Sequence, residues 1–427
     1  MRAQEVIRDP LWDNITLDDT ALSLVDSAPF QRLRYVRQLG HAFLVYPGAT
    51  HSRFEHALGA YHLTRRTLAA LDSRGELAGV PEGDRLAVTL AALLHDVGHY
   101  PFSHSLEEAG FPSHEAQGEA RLTSGVLHER LLAIGGQLFP RRVADLIRGR
   151  SGSPLQGLIS GTLDLDKIDY LCRDSRMCGV PYGTVDVDRL LASITIVRDG
   201  PAGLNRLGVQ EKGVSALESL LFAKYQMYRN VYWHHAVRSA TCMFKRAARA
   251  AVRHGAVTGE QVASLTDDEL MQVMIGSDAS RLAVALRERR LYKRALDLPG
   301  SEVTAATPEW VSEDPDLLER VEDVLAVEVG LEPGELLLDF PSRHSMLGVD
   351  LPLKLRDGTV ERLTDEGRAG HLGLPRIAGE LYQSARRLRV FVARPLSRSM
   401  DGVPALLEMT AAAVGSRLEH ADRLLSP

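Results

Sequence analysis

The sequence predicts a mainly α-helical protein with one β-hairpin and a smaller α+β C-terminal region, and three stretches carry that prediction. DRLAVTLAALLH (84–95) is too densely apolar for a surface helix and suits one buried on most sides. The run beginning GVSALESLLFAKYQMYRNVYWHHAV at Gly213 reads as a long, aromatic-rich helix. Between them, ASITIVRDGPAGLNRLGVQ alternates apolar and polar residues on both sides of the turn formers Asp199, Gly200 and Pro201, which is the pattern of a hairpin.

In chain order, the helix at 84–95 is stopped by Gly98 and Pro101. A second helix is expected from about Leu163 through Cys172, and most of the first 250 residues read as helix. Beyond residue 255 the pattern changes. Thr266-Asp267-Asp268-Glu269 has the spacing of a capping box and starts a helix. A basic stretch follows, RERRLYKRALDL, which in isolation reads as a solvated helix face. An acidic stretch from Glu302 to Glu335 comes next, with two strands, ELLLDF and LRVFVA. A chain of 427 residues is long for one core. We therefore divide it into a helical domain, 1–255, and an α+β accessory region, 256–427, with an expected role in oligomerisation or regulation.

Composition narrows the function classes. The net charge of -6 gives no global basic field for nucleic acid. The patch of Arg287, Arg289, Arg290, Lys293 and Arg294, interrupted by Tyr292, is weak support for such a partner. Three cysteines, Cys172, Cys178 and Cys242, are too few for a disulfide framework or a Cys-rich zinc site. The start, MRAQEVIRDPLWDNI, lacks the features of a signal peptide, and no run of 18 apolar residues occurs. A cytoplasmic protein without a membrane partner is expected.

Histidine is unevenly placed. Of fifteen, eight (His41, His51, His56, His62, His95, His99, His104 and His114) fall within 74 residues. Imidazole is a common ligand of first-row metals, and a neighbouring carboxylate offsets the ion's charge. The pair His95-Asp96 ends a buried helix, where the backbone can turn both side chains toward one ion. An isolated pair there would equally suit the helix dipole. Its context decides otherwise: HSRFEHALG (51–59) lies upstream, and LDLDKIDYLCRDS (163–175), dense in carboxylates, lies downstream. Composition does not choose among Asp164, Asp166 and Asp169.

This order, a histidine, then His-Asp, then a distant aspartate, resembles the HD-domain metal-dependent phosphohydrolases. The similarity extends through IRDPLWDNITL, DSAPFQRLRYVRQLGHAFLVYPGATHSRFEHALG, HDVGHYPFSH, DLDKIDYLCRD and GVPYGTVDVDRLLASI. Over roughly residues 5 to 250 the chain looks like the deoxynucleoside triphosphate triphosphohydrolases whose vertebrate members carry a SAM domain before the HD domain; no SAM domain is expected before residue 5 here. The resemblance implies His56, His95, Asp96 and Asp166 as ligands of one divalent ion. Two nitrogens and two carboxylates suit Mn, Fe, Co, Ni or Zn, and Mg where phosphates complete the shell.

The resemblance also implies the reaction, in which water attacks the α-phosphorus of a dNTP and releases deoxynucleoside and triphosphate. His104 takes the proton-donor position and Glu107, where relatives have aspartate, orients it. His99 and His114 line the phosphate pocket, Arg53 meets the α-phosphate, and Lys167 serves the outer phosphates. Asp166, Tyr170 and Asp174, spaced i, i+4, i+8, share one helical face. Lys224 replaces a phosphate-binding arginine, with loss of its planar fork. Tyr232 packs on the deoxyribose, while Gln38 and Leu39 contact the 3'-hydroxyl and the sugar face, leaving little room for a 2'-hydroxyl. An activating guanine nucleotide, GTP or dGTP, would meet Asp26, Arg34, Arg189 and Lys212 in a homo-oligomer, dimer or tetramer; Arg8 and Gln210 depart from the activator pattern. Two alternatives are weighed against this reading: an HD-type nucleotidase or phosphodiesterase on another nucleotide, and a nucleotide-sensing or nucleic-acid-binding regulator.

Overall fold

The computed structural model describes residues 5–199, 203–278, 280–303, 309–342, 348–364, 373, 377–396 and 399–425. The chain begins with a hairpin where the sequence reads as helix. β1 (Glu5–Asp9) pairs antiparallel with β2 (Asp13–Leu17). The Asp9 carboxylate accepts from the N–H groups of Leu11 and Trp12 at 2.9 and 2.8 Å, and Asp13 takes a φ of 60°. Short aspartate side chains favour such turns, and Ile15 and Leu17 are fully buried beneath the hairpin.

Five helices carry the site. α1 (Arg53–Ser73) opens with a capping box between Ser52 and Glu55. α2 (Glu82–Leu94) is buried along its second half, from Ala87 to Leu94 except Thr89, as its apolar density requires. α3 (Leu165–Cys178) starts at Asp164, whose side chain accepts from the Lys167 N–H, and ends at Gly179 in the left-handed region. The long run after Gly213 is two helices and not one. α4 (Val214–Met227) passes into a π-helical turn, Tyr228–Tyr232, and α5 (His235–Arg253) begins after it. That wider turn swings Tyr228 and Tyr232 toward α3, where Tyr170 and Tyr232 lie 6.4 Å apart.

The expected hairpin is present as β3 (Ile194–Asp199) and β4 (Leu204–Gln210). Gly200 and Pro201 of its turn lie outside the described residues. Further on come β5 (Lys293–Pro299), β6 (Leu336–Asp339), β7 (Leu351–Lys354), β8 (Val360–Leu363) and β9 (Arg387–Val392). Two larger sheets result, ordered β3-β4-β7-β8 and β5-β9-β6, with β4 and β7 parallel. Strands from beyond residue 255 thus extend the hairpin that precedes it. The basic stretch is not one helix face: a helix ends at Arg287, Arg289 turns with a φ of 57°, and Lys293 and Arg294 lie on β5. Leu291 and Tyr292 between them are buried, which pulls the chain inward there.

Charge joins the two halves of the chain. The helix Pro315–Glu328, from the acidic stretch, sets Asp323 and Glu319 against Arg246 and Arg249 of α5 at 2.7 and 2.6 Å. Arg238 of α5 is buried between Glu108 at 2.8 Å and Asp339 of β6 at 2.7 Å. Glu108 is the neighbour of Glu107, so this ion triad ties the loop after α2 to the C-terminal sheet. Among the described residues, no helix is long and apolar enough to cross a membrane.

Candidate metal centre and catalytic cleft

Three helix ends meet at one point. α1 presents His56 one turn inside its N-terminus, α2 ends in His95 with Asp96 following, and α3 presents Asp166 in its first turn. His56 Nε2 lies 3.1 Å from His95 Nε2, 2.8 Å from Asp166 Oδ1 and 3.7 Å from Asp96 Oδ2. His95 Nε2 is 3.3 Å from Asp96 Oδ1 and 3.5 Å from Asp166 Oδ1. Donors sharing a first-row ion at about 2.1 Å stand roughly 3.0–3.4 Å from one another. The observed spread brackets that range. Asp96 is the outermost of the four, because its Oδ2 is held by Arg53 at 2.6 Å and its Oδ1 by His99 at 3.2 Å.

The tautomers suit the same purpose. His56 Nδ1 donates to Asp169 Oδ2 at 2.8 Å, and His95 Nδ1 donates to the Ala92 carbonyl at 2.8 Å. Each Nε2 is thereby left with its lone pair facing the common point. Asp169 is itself fixed by the buried Arg173 and by the Trp12 indole N–H. The three aspartates of DLDKIDY thus divide the work: Asp164 caps α3, Asp166 faces the centre and Asp169 orients His56.

Electrostatics also favour a cation. Burial works to lower the His56 pKa, yet hydrogen bonds to Asp166 and Asp169 carry it up to about 10. Burial would raise the Asp96 carboxyl, but Arg53, His95 and His99 hold it well below the usual carboxylate range. Asp166 and Asp169 thus draw positive charge to the His56 ring, and a divalent ion on Nε2 would supply it in place of a proton.

Gly59 of α1 lets α3 approach. A Cβ there would collide with the Asp169 carboxylate and the Arg173 guanidinium. In an open helix Gly→Ala gains about 1 kcal/mol. Here the collision reverses the sign: Gly59→Ala should destabilise by about 1–3 kcal/mol and weaken metal retention through Asp169. Thermal melting and metal analysis of the purified variant check both.

After α2 the backbone folds back sharply. Gly98 packs so closely on His114 and Gly118 that a Cβ would overlap their backbone. Phe102 and Ser103 both take left-handed φ values, 56° and 64°. Their cost of order 1–3 kcal/mol each is countered by surrounding contacts: Asp267 accepts from the Phe102 N–H at 2.7 Å, and the Phe102 ring stacks on His41 at 4.3 Å. This turn carries His104 outward, 57% exposed. Its Nδ1 meets Glu107 Oε2 at 3.1 Å, and Glu107 Oε1 accepts from the His114 backbone N–H at 2.7 Å. Burial opposes ionisation of Glu107, but hydrogen bonds with His104 and His114 hold it well below its usual range.

A cavity of about 680 Å³ opens beside these groups, lined by Gln38, Leu39, Arg53, His104, Glu107, Tyr170, Asp174 and Tyr232 among others. Asp174 accepts from the Tyr232 hydroxyl at 2.7 Å and meets His51 Nε2 at 2.8 Å. His51 went unassigned in the sequence, although the spacing HSRFEH was its signal. Lys167 and Lys224 line a separate pocket of about 320 Å³. Burial and the nearby Lys167 push Lys224 down to about 8. Elsewhere, Arg34 lies over the Phe54 ring at 3.5 Å, Asp26 is exposed at a helix end, and Arg189 donates to the Lys212 carbonyl at 2.9 Å.

Comparison with known proteins gives the family. Residues 53–174 match the family model described as HD domain, and residues 185–366 match the HD associated region. An uncharacterized protein of Methanocaldococcus jannaschii is 36% identical over 293 residues, covering 68% of this chain and 59% of that protein. The human deoxynucleoside triphosphate triphosphohydrolase SAMHD1 is 25% identical over 355 residues, covering 74% of this chain and 53% of that protein. The chain spans between about half and two thirds of the length of the curated relatives it matches. Among solved structures, a hypothetical protein from Aquifex aeolicus superposes with a TM-score of 0.72 at 28% identity, covering 92% of this chain and 97% of that one. A phosphohydrolase from Bacteroides thetaiotaomicron shares the fold, with a TM-score of 0.70 at 22% identity over 92% of this chain and all of that one.

Proposed function

Carrying an HD domain followed by an HD associated region, this chain stands with the HD-domain phosphohydrolases; from that premise we propose that it hydrolyses deoxynucleoside triphosphates to deoxynucleoside and inorganic triphosphate. The observation that carries the reading is the juxtaposition of two units: the four-ligand centre and, one imidazole ring away through His99, the exposed His104–Glu107 pair.

A divalent ion at His56, His95, Asp96 and Asp166 would supply Lewis acidity and lower the pKa of attacking water. The chain's own groups do the rest. Arg53, whose two terminal nitrogens now hold Asp96 and Ser103, offers its fork to the α-phosphate oxygens. As water attacks the α-phosphorus, the bond to the 5'-oxygen breaks, and His104 gives that oxygen its proton. Glu107 holds His104 in place. His99 and His114 donate to the phosphates. Leu39 and Tyr232 close on the deoxyribose, and Asp174, with Gln38, takes the 3'-hydroxyl. All of these groups precede residue 255, although Phe340 and Ser342 from beyond it line the same cavity; the rest of the accessory region is left for assembly and regulation. Asp26, Arg34, Arg189 and Lys212 bind a guanine-nucleotide activator in a cytoplasmic homo-oligomer.

One observation favours a second reading. Lys167 and Lys224 open on a different pocket from Arg53, so an HD-type nucleotidase acting on a shorter phosphate chain would also use the site. Product analysis separates the two. The purified protein is incubated with each dNTP and Mn or Mg, with and without GTP or dGTP, and the products are resolved by chromatography. Deoxynucleoside with triphosphate is expected; monophosphate with pyrophosphate, or orthophosphate alone, would rule the proposal out.

A further inference from the structure

We propose that His99, His104, Glu107 and His114 form a second cation site, distinct from the centre at His56, His95, Asp96 and Asp166, which takes a transition-metal ion such as Zn2+ and switches the enzyme off when filled. The switching rests on the role given above to His104; the binding does not.

Each of the four residues offers a donor atom within 4.8 Å of all the others. Glu107 joins two of the rings, with Oε2 at 3.1 Å from His104 Nδ1 and Oε1 at 2.5 Å from His114 Nδ1. His104 stands edge-on to both other rings, while the His99 ring lies flat on His114, with centroids 3.8 Å apart and 14° between planes, so one of that pair must tilt out of the stack to turn its in-plane lone pair onto a shared ion. His99 is fully buried, and its Nδ1 has no hydrogen-bond partner among the described residues. A buried nitrogen left in that state costs about 1–3 kcal/mol. Coordination would satisfy it.

The donor chemistry selects the ion. Three imidazoles with one carboxylate suit Zn, Ni or Cu, whereas Mg prefers an all-oxygen shell and keeps its waters. The donors of the first centre already stand 2.8 to 3.7 Å apart, whereas the second requires the stack of His99 on His114 to open, so the first fills at lower concentration. Filling the second has a chemical consequence. Once Nδ1 of His104 is bound to an ion, the ring cannot become imidazolium, and the N–H left on Nε2 is that of a neutral ring, far too weak an acid to protonate the departing 5'-oxygen efficiently. Rising Zn2+ should therefore first activate and then inhibit, while rising Mg2+ only activates. The fall should reach about 10²-fold or more, the usual worth of a proton donor.

The test is a metal count on the full chain, by equilibrium dialysis against Zn2+ followed by elemental analysis. Two ions per chain are expected for the wild type, and one each for His114→Ala and for the pair His56→Ala with Asp166→Ala. Glu107→Gln, which changes little volume, should also bind one and guards against misfolding of the alanine variant. One ion in the wild type, retained in His114→Ala and Glu107→Gln, would overturn this inference and leave the proposed function standing. One ion lost in those two variants but retained without His56 and Asp166 would do the reverse.

Discussion

Asp96→Ala is expected to yield a protein that neither retains a divalent ion at its first centre nor turns over substrate. Asp96 stands 3.3 Å from His95 and 3.7 Å from His56, so its loss removes one of four ligands. Losing even an outer-shell partner typically costs 10- to 100-fold in metal affinity, and a direct ligand should cost at least about 10²-fold. The same side chain also pairs with Arg53 at 2.6 Å, and both are buried. Stripping a buried guanidinium of its carboxylate costs about 3–5 kcal/mol, so the melting temperature should fall as well. Asp96→Asn separates these effects, since it keeps the volume and one acceptor for Arg53 while removing the charge. Elemental analysis and melting on both variants are the checks. Undiminished metal content in Asp96→Ala would mean that the ion sits elsewhere.

His104→Ala should behave in the opposite way. The ring is 57% exposed and reaches Glu107 at 3.1 Å, so its removal leaves the four ligands in place. The ion should stay while turnover falls by about 10²- to 10⁴-fold, the range for a lost general acid. The deficit has a chemical signature. A nucleotide ester that releases nitrophenolate needs no proton on its leaving group, so on such a substrate the variant should run close to wild type. Metal loss in this variant, or an equal deficit on both substrates, would remove His104 from the donor role.

Local pattern exposes some of this molecule and long-range packing conceals the rest. The apolar density of α2, the alternation of β3 and β4, the capping box at Thr266 and the runs behind β6 and β9 are all local signals, and each element is present. β1 and β2 are short, and their turn depends on Asp13 in a conformation more typical of glycine. The break between α4 and α5 is a π-helical turn whose residues do not differ in composition from a helix. β7 finds its partner β4 more than 140 residues earlier in the chain, beyond any window, and β8 joins the sheet through β7. The same division holds at the site. Motif order brings four ligands to mind, but the roles of Asp164 as cap and Asp169 as orienter come from the direction of α3. The setting of Lys167 and Lys224 on their own pocket depends on how α3 and α4 meet, which spacing does not carry.

Diffraction from crystals soaked with one equivalent of Zn2+, recorded at the zinc absorption edge, is the most direct test of the metal centre. We expect one strong anomalous peak at about 2.0–2.2 Å from His56 Nε2, His95 Nε2 and a carboxylate oxygen of both Asp96 and Asp166. A peak bound by other residues, or none at those four, would contradict the account.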